Sequence, residues 1–231
     1  MYEKRLRETL PRIREALGEA ARRVGRGDEE VTLVAVTKAH PLPALKAALS
    51  VGLSHLGENR LEEMEEKVQL LGRDAVTWHM VGHLQSRKAR QAVDVADLIH
   101  SVDSLKLGRR LSSFSLEAGR VTSVLVQVNA SGEAVKSGFE ADEAVEAIHR
   151  LLELPGLQIR GLMTMAPFVD DEKVLRGTFR KLRQVQEEAG GIPGYEGMEL
   201  SMGMTNDFEL AVEEGSTMVR IGTALFGERP R

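Results

Sequence analysis

The chain of 231 residues is 42% hydrophobic, 29% charged and only 4% aromatic, the profile of a globular protein with an aliphatic core rather than of a disordered or membrane one. A formal net charge of -4 and a pI near 5.9 argue against a nucleic-acid groove built on bulk electrostatics. The absence of cysteine excludes disulfides, thiolate catalysis and cysteine zinc sites, and no apolar stretch reaches the ~20 residues of a membrane span.

Leu6, Leu10, Ile13, Leu17, Ala21 and Val24 recur at spacings of three and four, forming one apolar face of a leading helix. Pro11 falls inside it, which predicts a kink or a helix starting at Thr9. The arginines of this segment alternate with Glu3, Glu8, Glu15 and Glu19, unlike a targeting peptide, so cytoplasmic residence is expected. After "GRGDEE" the chain alternates short apolar runs with amphipathic stretches. Strands are predicted at "VTLVAV" from 31, "LSHLG" from 53, "WHMVG" from 78 and "LIHSV" from 98. Four more follow at "VTSVLVQVN" from 121, "QIRGLMTMA" from 158, "GMELSMG" from 197 and "TMVRIG" from 217. Helical patterns such as "RLEEMEEKVQLLG", "DEAVEAIHRLLEL" and "DEKVLRGTFRKLRQVQEEAG" separate them, several closing on glycine.

This alternation implies parallel strands joined by helical crossovers. Eight apolar runs predict an α/β fold: one (β/α)8 TIM-type barrel over residues 1–231 with an extra N-terminal helix. An open doubly wound sheet competes, but neither a GxGxxG nor a GxxxxGK[ST] pattern follows any strand. "ALFGERPR" is too short for an eighth outer helix, a gap the N-terminal helix would cover.

Barrel chemistry gathers at the C-terminal ends of the strands. Lys38 stands there after the first strand, either as a solvent-facing strand end or as an amine whose pKa a partly desolvated mouth would lower toward nucleophilicity. Ser201 and Gly203 follow the seventh strand, ahead of Thr205, Asn206 and Asp207, which are good N-cap types; the pattern fits an anion site or an ordinary capped loop. Gly222 and Thr223 end the last strand, where barrels commonly bind phosphate. Arg220, one alternation earlier, must reach the mouth or find an acidic partner, since an unpaired buried charge is costly. An amine, a phosphate cradle and a charged fork together suit a phosphorylated aldehyde such as pyridoxal 5'-phosphate. His79 and His83 straddle a strand end, so no metal site is expected. Met163 and Met165 share strand parity and read as barrel core, while Lys136 is a polar mouth candidate and the cluster Arg87, Lys88 and Arg90 reads as a solvated helix face.

"VAVTKAHP", "GENR", "WHMVGHLQSRK", "GLMTMAP" and "LSMGMTNDFELAVEEGSTMVRIGTALFG", in this order, resemble the pyridoxal phosphate homeostasis protein family, relatives of the alanine racemase N-terminal barrel. The resemblance implies the cofactor pyridoxal 5'-phosphate held as a Schiff base on Lys38, its phosphate by Ser201, Gly222 and Thr223, with Met202, Gly203 and Thr205 contributing. It puts Arg220 at the pyridine nitrogen and Asn59 and His79 along the ring face. Arg87 stands where that family usually carries asparagine. The implied role is storage, buffering or delivery of the cofactor, with apo-enzymes as partners, and an amino-acid racemase is the alternative. Racemisation needs acid and base groups on both faces of the substrate's α-carbon, supplied in alanine racemases partly by a tyrosine from a further domain. Only Tyr2 and Tyr195 occur here, which favours a carrier with little or no catalysis; a monomer is expected, and the charge and hydropathy given above lead to no nucleic-acid or membrane partner.

Overall fold

The computed structural model describes residues 1–133 and 136–228. Its strands are β1 (Thr32–Val36), β2 (His55–Glu58), β3 (Thr77–Met80), β4 (Leu98–Val102), β5 (Thr122–Asn129), the two-residue β6 (Phe139–Glu140), β7 (Leu157–Met163), β8 (Glu199–Ser201) and β9 (Met218–Ile221). All pairings are parallel. The order β4-β3-β2-β1-β9-β8-β7-β5 closes through a β4–β5 pairing into an eight-stranded barrel, with β6 appended to β5. Each predicted strand is present.

The helices are α1 (Tyr2–Arg23), α2 (Leu42–Ser50), α3 (Leu61–Leu71), α4 (Ala89–Val95), α5 (Leu105–Glu117), α6 (Ala144–Leu152), α7 (Glu172–Ala189), α8 (Phe208–Glu213) and α9 (Thr223–Phe226). α1 packs against α2, α8 and α9, covering the outer position that the short α9 leaves open. Its buried stripe is Leu6, Leu10, Ile13, Leu17, Ala20 and Ala21. Contrary to the expected kink or late start, α1 runs unbroken through Pro11. Pro11 and Arg7, whose carbonyl loses its partner, are both exposed, so water can satisfy the lost bond.

Strand parity divides the core into two layers. Leu98, Leu125, Met163 and Met218 form one cluster inside the barrel and Val34, Val36 and Val81 another, while alternate residues such as Ala35, Leu56 and Leu200 join the larger core beneath the helices. The centre of the barrel also contains buried His79, His100, Gln127, Ser201 and Arg220. These polar groups must be paired with one another or serve a site, because burying them unpaired is costly. Among the described residues, no helix is long and apolar enough to cross a membrane.

Candidate functional site

A cavity of about 540 Å³ opens at the C-terminal ends of the strands. Lys38, Asn59, Thr205, Arg220, Gly222 and Thr223 line it, so six of the expected residues converge from β1, β2, β8 and β9. Four of the expected residues do not line it. Ser201 is wholly buried with its hydroxyl turned to Arg220 and His100. Met202 lies in the apolar core, and His79 sits deep in the barrel between two other histidines. Gly203 turns the chain after β8 at φ +94, where an added Cβ would come within 2.6 Å of Ala211 Cβ.

Arg220 is anchored in the middle of the site. Its Nη1 donates to Ser201 Oγ at 2.6 Å and its Nη2 to the Thr164 carbonyl at 2.9 Å. Among the described residues no ion pair reaches this buried guanidinium, so the structural ion-pair alternative falls away. Burial lowers its pKa to about 10, with the charge of Asp207 opposing, and it remains a cation at neutral pH. A buried cation held by neutral acceptors beside a cavity calls for an acceptor from a ligand.

The Lys38 turn is braced from below by residues whose roles the sequence did not disclose. Lys67 Nζ donates to the Thr37 carbonyl at 2.8 Å, to Glu58 Oε1 at 2.7 Å and to Glu63 Oε1 at 2.7 Å. Thr37 Oγ1 also donates to Glu58 Oε1, and the Ala39 amide donates to Glu63 Oε1 at 2.5 Å. Ala39 has φ 60, a left-handed conformation that disfavours a side chain and persists only when its surroundings hold it. The network therefore fixes the residues on both sides of Lys38. Burial pushes the Glu58 carboxyl up to about 7, against the pull of Lys67 and Thr37.

On the β8 side, Asp207 precedes α8, but its carboxylate accepts from the Met204 amide at 2.5 Å instead of capping that helix. Burial raises its pKa. Met163 and Met165 part company: β7 ends at Met163, which stays in the core, while Met165 turns out to line the cavity with Ala166, Pro167 and Phe168. Lys136 reaches the Met165 carbonyl at 3.1 Å and pairs with Glu133, tying two mouth loops together. Arg87 is bonded to Gln85 on the surface, away from the cavity, and His83 pairs with Asp103 at 3.1 Å on the rim.

Comparison with known proteins matches residues 9–230 to the family described as alanine racemase, N-terminal domain. The chain is 37% identical to a protein of Aquifex aeolicus named pyridoxal phosphate homeostasis protein, covering 96% of this chain and 97% of that one. It is 36% identical to an unknown protein from Bifidobacterium adolescentis whose crystal structure superposes with a TM-score of 0.91, covering 97% and 96% of the two chains. It is 38% identical to PipY of Synechococcus elongatus, solved with pyridoxal phosphate bound, with a TM-score of 0.80 and coverage of 92% and 99%.

Proposed function

The chain belongs to the alanine racemase N-terminal domain family, within the pyridoxal phosphate homeostasis proteins, and from that membership we propose that it binds pyridoxal 5'-phosphate at the barrel mouth. The observation that carries this reading is the buried Arg220 cation, without an ion pair among the described residues, facing a cavity that Lys38 also lines. When bound, this group supplies an aldehyde able to condense with an amine and a ring able to withdraw electrons.

In this reading Lys38 holds the aldehyde carbon as a Schiff base, on a turn kept in place by Lys67 and Glu63. Gly222 and Thr223, at the start of α9, together with Thr205, hold the phosphate. Arg220 donates to the ring nitrogen. A guanidinium does not give up its proton, so the ring nitrogen stays uncharged and the electron sink is weak. Ser201 and Met202 act from beneath, with Ser201 fixing Arg220. Asn59 lies beside the ring, and His79 contributes only through its neighbours in the barrel.

That arrangement favours holding the cofactor over turning substrates with it. Neither tyrosine lines the cavity: Tyr195 donates to Gln186 at 2.6 Å, and the Tyr2 hydroxyl lies 3.5 Å from His40 Nδ1. We take the role to be cofactor homeostasis, as storage, buffering or delivery to apo-enzymes, and the protein to be a cytoplasmic monomer organised as one barrel domain.

Titration with pyridoxal 5'-phosphate and with pyridoxal tests the site. Losing two or more charge-assisted hydrogen bonds at about 1.5 kcal/mol each is expected to weaken pyridoxal by roughly a hundredfold or more. Equal affinities would remove the phosphate cradle from the account. Sustained inversion of single alanine enantiomers by the loaded protein would assign catalysis instead.

A further inference from the structure

Three histidines from adjacent strands make a continuous hydrogen-bonded line through the barrel. His55 Nδ1 lies 3.0 Å from His79 Nε2, His79 Nδ1 lies 2.8 Å from His100 Nε2, and His100 Nδ1 lies 2.9 Å from Ser201 Oγ. At its upper end Ser201 accepts from Arg220. At its lower end His55 borders a separate recess of about 300 Å³ on the opposite face, shared with Arg14, Asp28 and Glu29. Their registry follows from strand pairing: His79 lies opposite Gly57, two residues beyond His55, and Leu98, two before His100, lies opposite His79.

Burial pushes His79 down to about 3 and holds His100 well below the ordinary histidine value, so both rings are neutral and each carries one proton. A line of neutral rings joined nitrogen to nitrogen can satisfy every bond in only two registers. In the first, Ser201 donates to His100 Nδ1, and each ring passes the bond on from its Nε2–H, ending at His55. In the second, every ring carries Nδ1–H and His100 donates up to Ser201. The second register leaves the Ser201 hydrogen without an acceptor among the described residues, and its oxygen must then serve two donors, His100 and Arg220. The first register satisfies the line in full.

We propose that His55, His79 and His100 are positioning residues whose shared Nε2–H register presents the Ser201 oxygen to Arg220, and that protonation of His55 on the far face reverses the register. A charged His55 carries N–H on both nitrogens and must donate to His79, which forces His79 and then His100 to turn their protons toward Ser201. One proton is gained in all, from the recess at His55; His79 and His100 each exchange an Nε2 proton for an Nδ1 proton and stay neutral, and Ser201 keeps its hydroxyl. The carboxylates of Asp97 and Glu199 favour the charged His55 ring, while burial opposes it and places its titration below the ordinary histidine value. In the recess Arg14 opposes the charge, and Asp28 and Glu29 favour it. The consequence for the cofactor rests on the function proposed above, whereas the coupling itself does not.

Long-range proton–nitrogen NMR of the imidazoles in the full chain without cofactor tests the coupling. At neutral pH all three rings should report Nε2–H, and on acidification His79 and His100 should change to Nδ1–H together as His55 charges. His55→Gln, at a partly buried position, should leave the other two rings unchanged over the same range. Titration of His55 without any response at His79 and His100 would overturn the proposal. With pyridoxal 5'-phosphate, wild-type affinity relative to His55→Gln should fall about five- to tenfold as His55 charges. A constant ratio alongside coupled tautomers would contradict the positioning of Arg220 through Ser201. Absence of cofactor binding by either protein, with coupled tautomers intact, would instead count against the cofactor reading.

Discussion

Lys38→Arg is expected to abolish the visible absorption that pyridoxal 5'-phosphate acquires on condensing with a lysine. Arginine preserves the positive charge and much of the reach, but its guanidinium stays protonated and is not a nucleophile at neutral pH. The remaining contacts from Arg220, Gly222, Thr223 and Thr205 are unaltered, so the cofactor should still bind, roughly ten- to a hundredfold more weakly. An absorbance titration measures both effects. A band of undiminished intensity would transfer the covalent role to another amine.

Lys67→Met is expected to have the largest effect on stability. Lys67 and Glu58 are both buried, and removing one partner of such a pair costs about 3–5 kcal/mol because the other charge is left uncompensated. The size of the loss should depend on pH. The folded-state pKa of Glu58 lies above its ordinary value, at about 7, so its contribution is fully present below the unfolded carboxylate range and is lost as pH rises through 7. In the variant that pKa rises further, since the compensating cation is gone. Near pH 5.5 Glu58 is protonated in both folded proteins and the deficit is at its smallest; above 7 only the wild type can ionise it beside a cation, and by pH 8 the deficit should be larger by about 1.4 kcal/mol. Denaturant unfolding at about pH 5.5 and pH 8 measures this. A deficit that is equal at both values would mean that Lys67 acts by packing alone. Since the same ammonium holds the Thr37 carbonyl, the variant should also loosen the Lys38 turn.

The strands were legible because each is a short apolar run bounded by turn residues, and their alternation with amphipathic stretches implied parallel crossovers. α4 and α9 were less so: "ARQAVDV" and "TALF" are too short to display a helical period. For the site, Lys38, Gly222 and Thr223 could be placed by position alone, since the ends of barrel strands converge whatever the register. Lys67 could not. Its reach back to Thr37 and Glu58 depends on how α3 lies over β1 and β2, and a lysine within "LEEMEEKVQLL" reads as one more solvated charge. The histidine line was hidden for a related reason. Each histidine lay within a predicted strand, but only inter-strand register brings three of them into contact. A signal was nevertheless present, because a polar ring inside each of three neighbouring apolar strands asks for a shared partner. Pro11 misled because propensity weighs against proline inside a helix, whereas an exposed turn tolerates it.

The central claim is that one lysine, held at the mouth of β1, anchors the cofactor. Incubating the full chain with pyridoxal 5'-phosphate, reducing with borohydride and mapping the adduct by peptide mass spectrometry tests it most directly. The account predicts one stoichiometric phosphopyridoxyl addition on the peptide containing Lys38, with Lys67 and Lys136 unmodified. Adducts scattered over exposed lysines, or a Lys38 peptide of unaltered mass, would contradict it.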